Sequence, residues 1–171
     1  MKKSIIFLLI GLLSFNLLSS QTKISFSEIE KTETEGQTTY LLKGEKFNGI
    51  IFDNYSNEKV KFRFNVKDGK LDGLFEEYYE NGQLKFKTSY KNGKLNGHSK
   101  SYHENGILRG YGNFRDGKLY GLFEEYYENG QLKEKSAFLD NKLNGPSERY
   151  YENGQLKDKT MYKNGEKLNS I

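Results

Sequence analysis

Apolar and polar residues alternate in steps of two along most of this chain. Phe75, Tyr79, Leu84, Phe86, Tyr90 and Leu95 fall on one side of the alternation, and Glu76, Tyr78, Glu80, Lys85 and Lys87 on the other. Alternation with this period marks β-strands that present different chemistry on their two faces. The runs are cut by turn dipeptides. One set is Asn81-Gly82, Asn105-Gly106, Asn129-Gly130 and Asn153-Gly154; the other is Asp68-Gly69, Asn92-Gly93, Asp116-Gly117 and Asn164-Gly165. Both central residues of a type I′ turn need positive φ, which Asn, Asp and Gly accept best. Asp140-Asn141 replaces one pair, and Asn tolerates the same conformation. Asn57-Glu58 replaces another and predicts a looser turn.

The alternation is organised by a strict period of 24. Gly49, Gly73, Gly97, Gly121 and Gly145 recur at that interval, as do Tyr55, Tyr79, His103, Tyr127 and Tyr151. Five copies result: 49–72, 73–96, 97–120, 121–144 and 145–171. With two reversals per copy, the fold class expected is all-β, an elongated antiparallel meander of 24-residue β-hairpin repeats. Residues 21–48 are less regular and read as an N-terminal cap, with Glu28 to Gly36 as an edge strand or loose cover. The recurrent glycines fall on the apolar side, where they leave room for a ring or a bend.

A two-residue hairpin at Asn81-Gly82 sets a register. It opposes Tyr79 to Leu84, Tyr78 to Lys85, Glu77 to Phe86 and Glu76 to Lys87. The same construction pairs Glu124 with Lys135, Glu148 with Lys159, Tyr102 with Arg109, Tyr126 with Lys133 and Tyr150 with Lys157. It also sets Glu125 against Glu134, a repulsion that Arg149 of the next copy would partly relieve. A single-layer sheet would leave the apolar face open, so either twist or a covering element must shield it.

The first twenty residues have a different character. Lys2 and Lys3 precede an apolar run from Ile5 to Leu18, followed by Ser19 and Ser20. This is the layout of a secretory signal peptide cut after Ser20. A membrane-spanning helix would need about 20 apolar residues. The expected location is therefore the periplasm, the cell surface or the medium. Cleavage removes two lysines from a formal net charge of +4, leaving no general pull toward nucleic acid. The chain has no Cys, which excludes disulfide scaffolds, thiol nucleophiles and zinc-thiolate sites.

Candidate chemistry is sparse. His98 and His103 are five apart on strands and so face apart, in no metal-ligand spacing. Glu76-Glu77 and Glu124-Glu125 are neighbours on strands, which also face apart. Gly110-Tyr111-Gly112 lacks the third glycine and the strand–helix setting of a phosphate loop. The reading predicts no catalytic residue, no metal and no cofactor. The candidate binding set is the row Tyr78, Tyr102, Tyr126 and Tyr150 with Lys85, Arg109, Lys133 and Lys157; Tyr and Arg are common interface anchors. The bland alternative is a solvated face in which the rings cover backbone and lysine stems.

The block Tyr78-Tyr79-Glu80-Asn81-Gly82-Gln83-Leu84-Lys85 returns at 126–133 and 150–157, and Asn/Asp-Gly-Lys-Leu-x-Gly stands at 68–73, 92–97 and 116–121. These residues resemble the bacterial MORN-repeat variant, over about 120 of 171 residues. The first copy departs in its turn, and the third in Gly110-Tyr111-Gly112. The resemblance implies a non-enzymatic repeat protein that binds a protein partner, with an antitoxin-like role among those catalogued for such proteins. Cell-wall polysaccharide and an anionic membrane surface are the competing partners. Nucleic acid is not expected.

Overall fold

The computed structural model describes residues 21–168; the leader expected over 1–20 lies outside the described residues. Among those residues there is no α-helix, only a 3-10 turn at Phe26–Glu28 and a succession of strands. In chain order these are β1 (Lys23–Ser25), β2 (Glu30–Thr34), β3 (Gln37–Leu42), β4 (Glu45–Lys46), β5 (Gly49–Asn54), β6 (Val60–Lys67), β7 (Lys70–Tyr78) and β8 (Leu84–Lys91). They continue as β9 (Lys94–Leu95), β10 (Gly97–Tyr102), β11 (Leu108–Arg115), β12 (Lys118–Tyr126), β13 (Leu132–Leu139), β14 (Lys142–Tyr150), β15 (Leu156–Lys163) and β16 (Glu166–Lys167). From β5 on, each strand pairs antiparallel with the next along one 13-stranded sheet, with the short β9 pairing only β8. The expected antiparallel meander is the observed architecture.

The first strands close one end of it. β1 lies parallel to β5, with Ile24 opposite Ile51. Gly49 permits this approach: a Cβ there would lie 2.3 Å from the Thr22 carbonyl oxygen. β2, β3 and β4 form a separate three-stranded sheet. Its Tyr40, together with Phe47 from the following link, packs on Ile51, Phe64 and Val66 to make the buried core. Tyr40 meets Phe64 at a centroid distance of 5.2 Å, and Phe64 stacks on Phe75 at 5.7 Å. Residues 21–48 therefore cover the apolar face over the first hairpins. Further along, the buried positions of that face are the small residues Thr88, Ser99, Gly110, Gly112 and Ser136.

The two sets of turns differ. Asp68-Gly69, Asn92-Gly93, Asp116-Gly117 and Asn164-Gly165 have positive φ at both residues, as a type I′ turn requires, and so does Asp140-Asn141. At Asn81-Gly82 only the glycine does, with φ 93°. There the Gly82 N–H donates to the Tyr79 carbonyl and the Tyr79 N–H to that of Gln83, both at 2.8 Å. This is a longer loop, a type I turn closed by a left-handed glycine, and not the two-residue reversal expected. The asparagine sets it, because Asn81 Oδ1 accepts the Gln83 N–H at 2.8 Å. The Asn57-Glu58 turn is not looser. Glu58 takes φ 67° and makes the same backbone bonds, Glu58 N–H to Tyr55 O at 3.0 Å and Tyr55 N–H to Lys59 O at 2.8 Å.

The longer loop changes the register at its end. Glu76 opposes Lys87 and Glu77 opposes Phe86, as expected, but Tyr78 then opposes Leu84. Lys85 is left as an extra residue, a β-bulge. The same step leaves Lys61, Arg109, Lys133 and Lys157 unopposed in the other hairpins. The predicted pairs Tyr78–Lys85, Tyr102–Arg109, Tyr126–Lys133 and Tyr150–Lys157 are thus replaced by Tyr–Leu pairs. A second irregularity accompanies the recurrent glycines. Phe64 opposes Phe75 and Val66 opposes Leu71, so Asp72, Gly73 and Leu74 stand against Asn65 alone. A Cβ on Gly121 would meet nothing within 4 Å, yet its φ is 75°. The glycine there is required by the bend rather than by a neighbouring ring.

Successive hairpins are bonded at both margins. Tyr55, Tyr79 and Tyr127 donate their hydroxyls to the carbonyls of Tyr78, Tyr102 and Tyr150 at 2.7, 2.7 and 2.8 Å. His103 Nε2 makes the equivalent contact with Tyr126 O at 2.9 Å. Asn57, Asn81, Asn105 and Asn129 donate to the carbonyls of Glu80, Glu104, Glu128 and Glu152 at 3.0–3.3 Å. At the opposite margin the Gly93, Gly117, Asn141 and Gly165 N–H groups donate to the carbonyls of Leu71, Leu95, Leu119 and Leu143. Replacing Tyr127 by Phe removes one such bond without disturbing the ring. Urea titration should show a loss of about 0.5–1.5 kcal/mol, the net worth of one hydrogen bond.

Candidate functional site

The strand pleat and the bulge assign the candidate residues to two faces. On one face, Tyr78, Tyr126 and Tyr150 donate their hydroxyls to Glu76, Glu124 and Glu148, two residues back, at 3.2, 2.8 and 2.7 Å. Each carboxylate also meets a lysine across the strand pair. The Glu76–Lys87, Glu124–Lys135 and Glu148–Lys159 distances are 3.0, 3.4 and 2.7 Å. The three opposite-charge pairs expected from register are therefore present. Arg63 adds a 2.6 Å contact to Glu76, whose side chain is only 6% exposed.

Lys85, Arg109, Lys133 and Lys157 do not join this row. The bulge swings Lys85 to Glu77 at 2.7 Å and Lys133 to Glu125 at 3.0 Å. Strand neighbours face apart, so Glu77 and Glu125 lie on the face opposite Glu76 and Glu124. The ammonium groups of Lys85, Lys133 and Lys157 then sit 5.8, 5.9 and 5.5 Å from the rings of Tyr79, Tyr127 and Tyr151. The cations thus meet the tyrosine one residue beyond the one expected. Lys133 relieves Glu125, in the role the register had assigned to Arg149. Glu134 instead accepts the Ser136 hydroxyl at 2.8 Å and lies opposite Arg149.

The glutamates were missed as organisers of the tyrosine row. Their signal was present in the sequence as a column two residues ahead of each tyrosine, filled by Glu76, Glu124 and Glu148. The third copy breaks this column, carrying Lys100 there and Ser101 beside it. Lys100 lies opposite Lys87 on one side and Tyr111 on the other. Tyr111 replaces the usual lysine and contacts His98 Nδ1 at 2.7 Å, with the two rings stacked.

Two hollows adjoin these rows. One, of about 550 Å³, lies at the N-terminal end of the tyrosine–glutamate face between Ile50, Phe52, Leu74, Arg63 and Glu76. The other, of about 530 Å³, follows the Asn-Gly margin past His103, Arg109, Tyr127 and Lys133.

The family model of the MORN repeat variant matches residues 71–92, 95–116, 119–140 and 143–164, and the chain belongs to that family. MORN repeats commonly mediate binding to membranes or proteins. The hairpin of β5 and β6 lies outside the matched units but makes the same bonds to its successor through Tyr55 and Asn57. No curated protein matches the sequence. Among solved structures, a mutant of S. aureus TarM in complex with fondaparinux, alpha-GlcNAc-glycerol and UDP is similar with a TM-score of 0.35 and 8% identity. That likeness covers 69% of this chain and 21% of the other, too slight to carry any functional argument.

Two carboxylates of the row, Glu76 and Glu148, are tuned by their partners. Burial opposes ionisation of Glu76, but the hydrogen bonds of Arg63 and Lys87 outweigh it and hold the carboxyl below its usual range. Glu148 is lowered by its bonds to Lys159 and Tyr150. A carboxyl depressed in the folded state stabilises the fold above its unfolded pKa of roughly 4.3, and that contribution is lost as pH falls toward the folded value. The urea midpoint should therefore drop between about pH 5 and pH 3. Glu76→Gln should lower the midpoint at neutral pH and flatten this decline.

Proposed function

We infer that this chain is an exported, non-enzymatic repeat protein that binds a protein partner across its sheet, in the cell envelope or outside the cell. The observation that carries the reading is the apolar surface displayed within the tyrosine–glutamate face beyond the cap, where Leu122, Leu139 and Met161, which alternate in step with Glu124, Lys135 and Lys159, are 43, 52 and 45% exposed. Accumulated exposed apolar surface is a mark of protein contact. The polar groups support the same reading. The hydroxyls of Tyr78, Tyr126 and Tyr150 are donated to glutamates and are not held ready for sugar hydroxyls. Alternating glutamate and lysine along the row leaves no continuous basic surface of the kind anionic lipid attracts. An antitoxin-like role would be the special case in which the partner is a toxin whose working surface this sheet covers.

Immobilised chain lacking residues 1–20 should retain a protein from envelope extracts. The recovered protein, once purified, should bind saturably, and Leu122→Asp combined with Met161→Asp should weaken that binding at least about tenfold, the effect of losing one hot spot. Flotation with anionic liposomes or retention on cell-wall polysaccharide, without a protein partner, would overturn the reading. Fractionation of cells expressing the full chain tests export, with recovery in the periplasm or medium expected.

A further inference from the structure

The third copy departs from the period in several columns at once, and those at Ser101, Gly110 and Gly112 meet on the face that carries Lys85 and Lys133. Gly110 and Gly112 stand where the preceding copy has Phe86 and Thr88 and the following copy has Glu134 and Ser136. Neither glycine takes a positive φ, so the backbone does not demand them. Their effect is on space. A Cβ on Gly112 would lie 3.0 Å from Leu119 Cδ1 and 3.4 Å from Phe123 Cδ2, which settle over the bare main chain. The result is a hollow of about 370 Å³ with Phe86, Leu95, Phe114 and Phe123 around it and Ser99 and Ser101 at its floor. That volume is within the range of roughly 300–1,000 Å³ of ligand sites.

Its rim carries an unmatched charge. In the neighbouring copies the bulged cation is met by a carboxylate, Lys85 by Glu77 and Lys133 by Glu125. Arg109 is the bulged cation of the third copy, and Ser101 occupies the position of those glutamates. Among the described residues no carboxylate lies within 4 Å of the Arg109 guanidinium, which is exposed. The cavity is thus apolar inside, with two charged groups at its edge: Glu125, already held by Lys133 at 3.0 Å, and Arg109, whose customary counter-ion has been removed. A planar guanidinium is suited to pairing two-pronged with a carboxylate.

We propose that this hollow is a specificity pocket for an apolar side chain adjoining a carboxylate on the protein partner, with Arg109 supplying the counter-charge that Ser101 cannot consume. The proposal rests on the reading of the chain as a protein-binding scaffold and names the chemistry of the partner's anchor. The carboxylate takes the place of the Glu carried by both neighbouring copies, and the apolar group fills the space that Phe86 takes in the preceding copy.

The test uses N-acetyl-phenylalanine at neutral pH as probe and its uncharged amide as comparison, followed by amide chemical shifts and titration calorimetry. Saturable binding near the millimolar range is expected, with shifts at Gly110 and Gly112 and at least tenfold weaker binding of the amide. Ser101→Glu restores the glutamate of the neighbouring copies. It should raise the urea midpoint and abolish probe binding, and Arg109→Gln should also abolish binding. Lys100→Glu, on the other face, should leave it unchanged. Equal binding of acid and amide, no saturation, or undiminished binding by Ser101→Glu would overturn the proposal. If the partner recovered from envelope extracts binds Ser101→Glu as tightly as the unaltered chain, the pocket falls and the scaffold reading stands. If no protein partner is recovered but the acid probe saturates the hollow, the pocket's chemistry stands and the scaffold reading falls.

Discussion

Hydrogen bonds from one hairpin to the main chain of the next hold this molecule in shape. Among the described residues five hydrophobic side chains are buried, all where the N-terminal segment docks on the first hairpins, so the long sheet has little core to impose order along its length. The tyrosine hydroxyls and asparagine amides supply it instead, each reaching a carbonyl 23 residues further on. Because every turn is docked on its successor, twist and spacing are set locally and propagated. This is the nearest-neighbour logic of repeat proteins, in which stability accumulates from unit and interface contributions.

The same docking explains the two faces. The asparagine that reaches forward also caps its own turn, and the loop it closes is one that leaves an extra residue on the returning strand. That residue is a cation in all five hairpins, and the bulge carries it to the apolar side. One face is then left with tyrosine, glutamate and lysine in closed triads, while the other combines aromatic rings with cations at its margin. Where a hairpin lacks the matching glutamate, as at Ser101, the cation stays open to solvent.

Much of the architecture was legible in the chain because period and alternation are both properties of sequence. The Glu76–Lys87 column and the type I′ turns followed directly from them. The side of Lys85 did not. Asn-Gly is compatible with two loop lengths that differ by one residue, and the choice is made by the Asn81 side chain, whose Oδ1 accepts the Gln83 N–H. A bond from a side chain to its own turn is invisible in period and alternation. The cap was recognised as irregular, but its aromatic packing through Tyr40 and Phe47 depends on a separate sheet whose docking no local pattern announces. The candidate row divides for the same reason: its tyrosines share a face, and its cations belong to the other.

His103 stands in the tyrosine column and still reaches the Tyr126 carbonyl, so the ladder accepts any ring with a hydrogen-bond donor at the right distance. Since every junction offers the same acceptors, the junctions are interchangeable. Excising residues 121–144 would bring His103 to the carbonyl of Tyr150 and Asn105 to that of Glu152, with no new chemistry required. Arrays of this kind can therefore grow or shrink by unequal recombination in whole units of 24. Insertions of any other size would strand both margins at once, which makes array length a heritable trait that changes only in quanta.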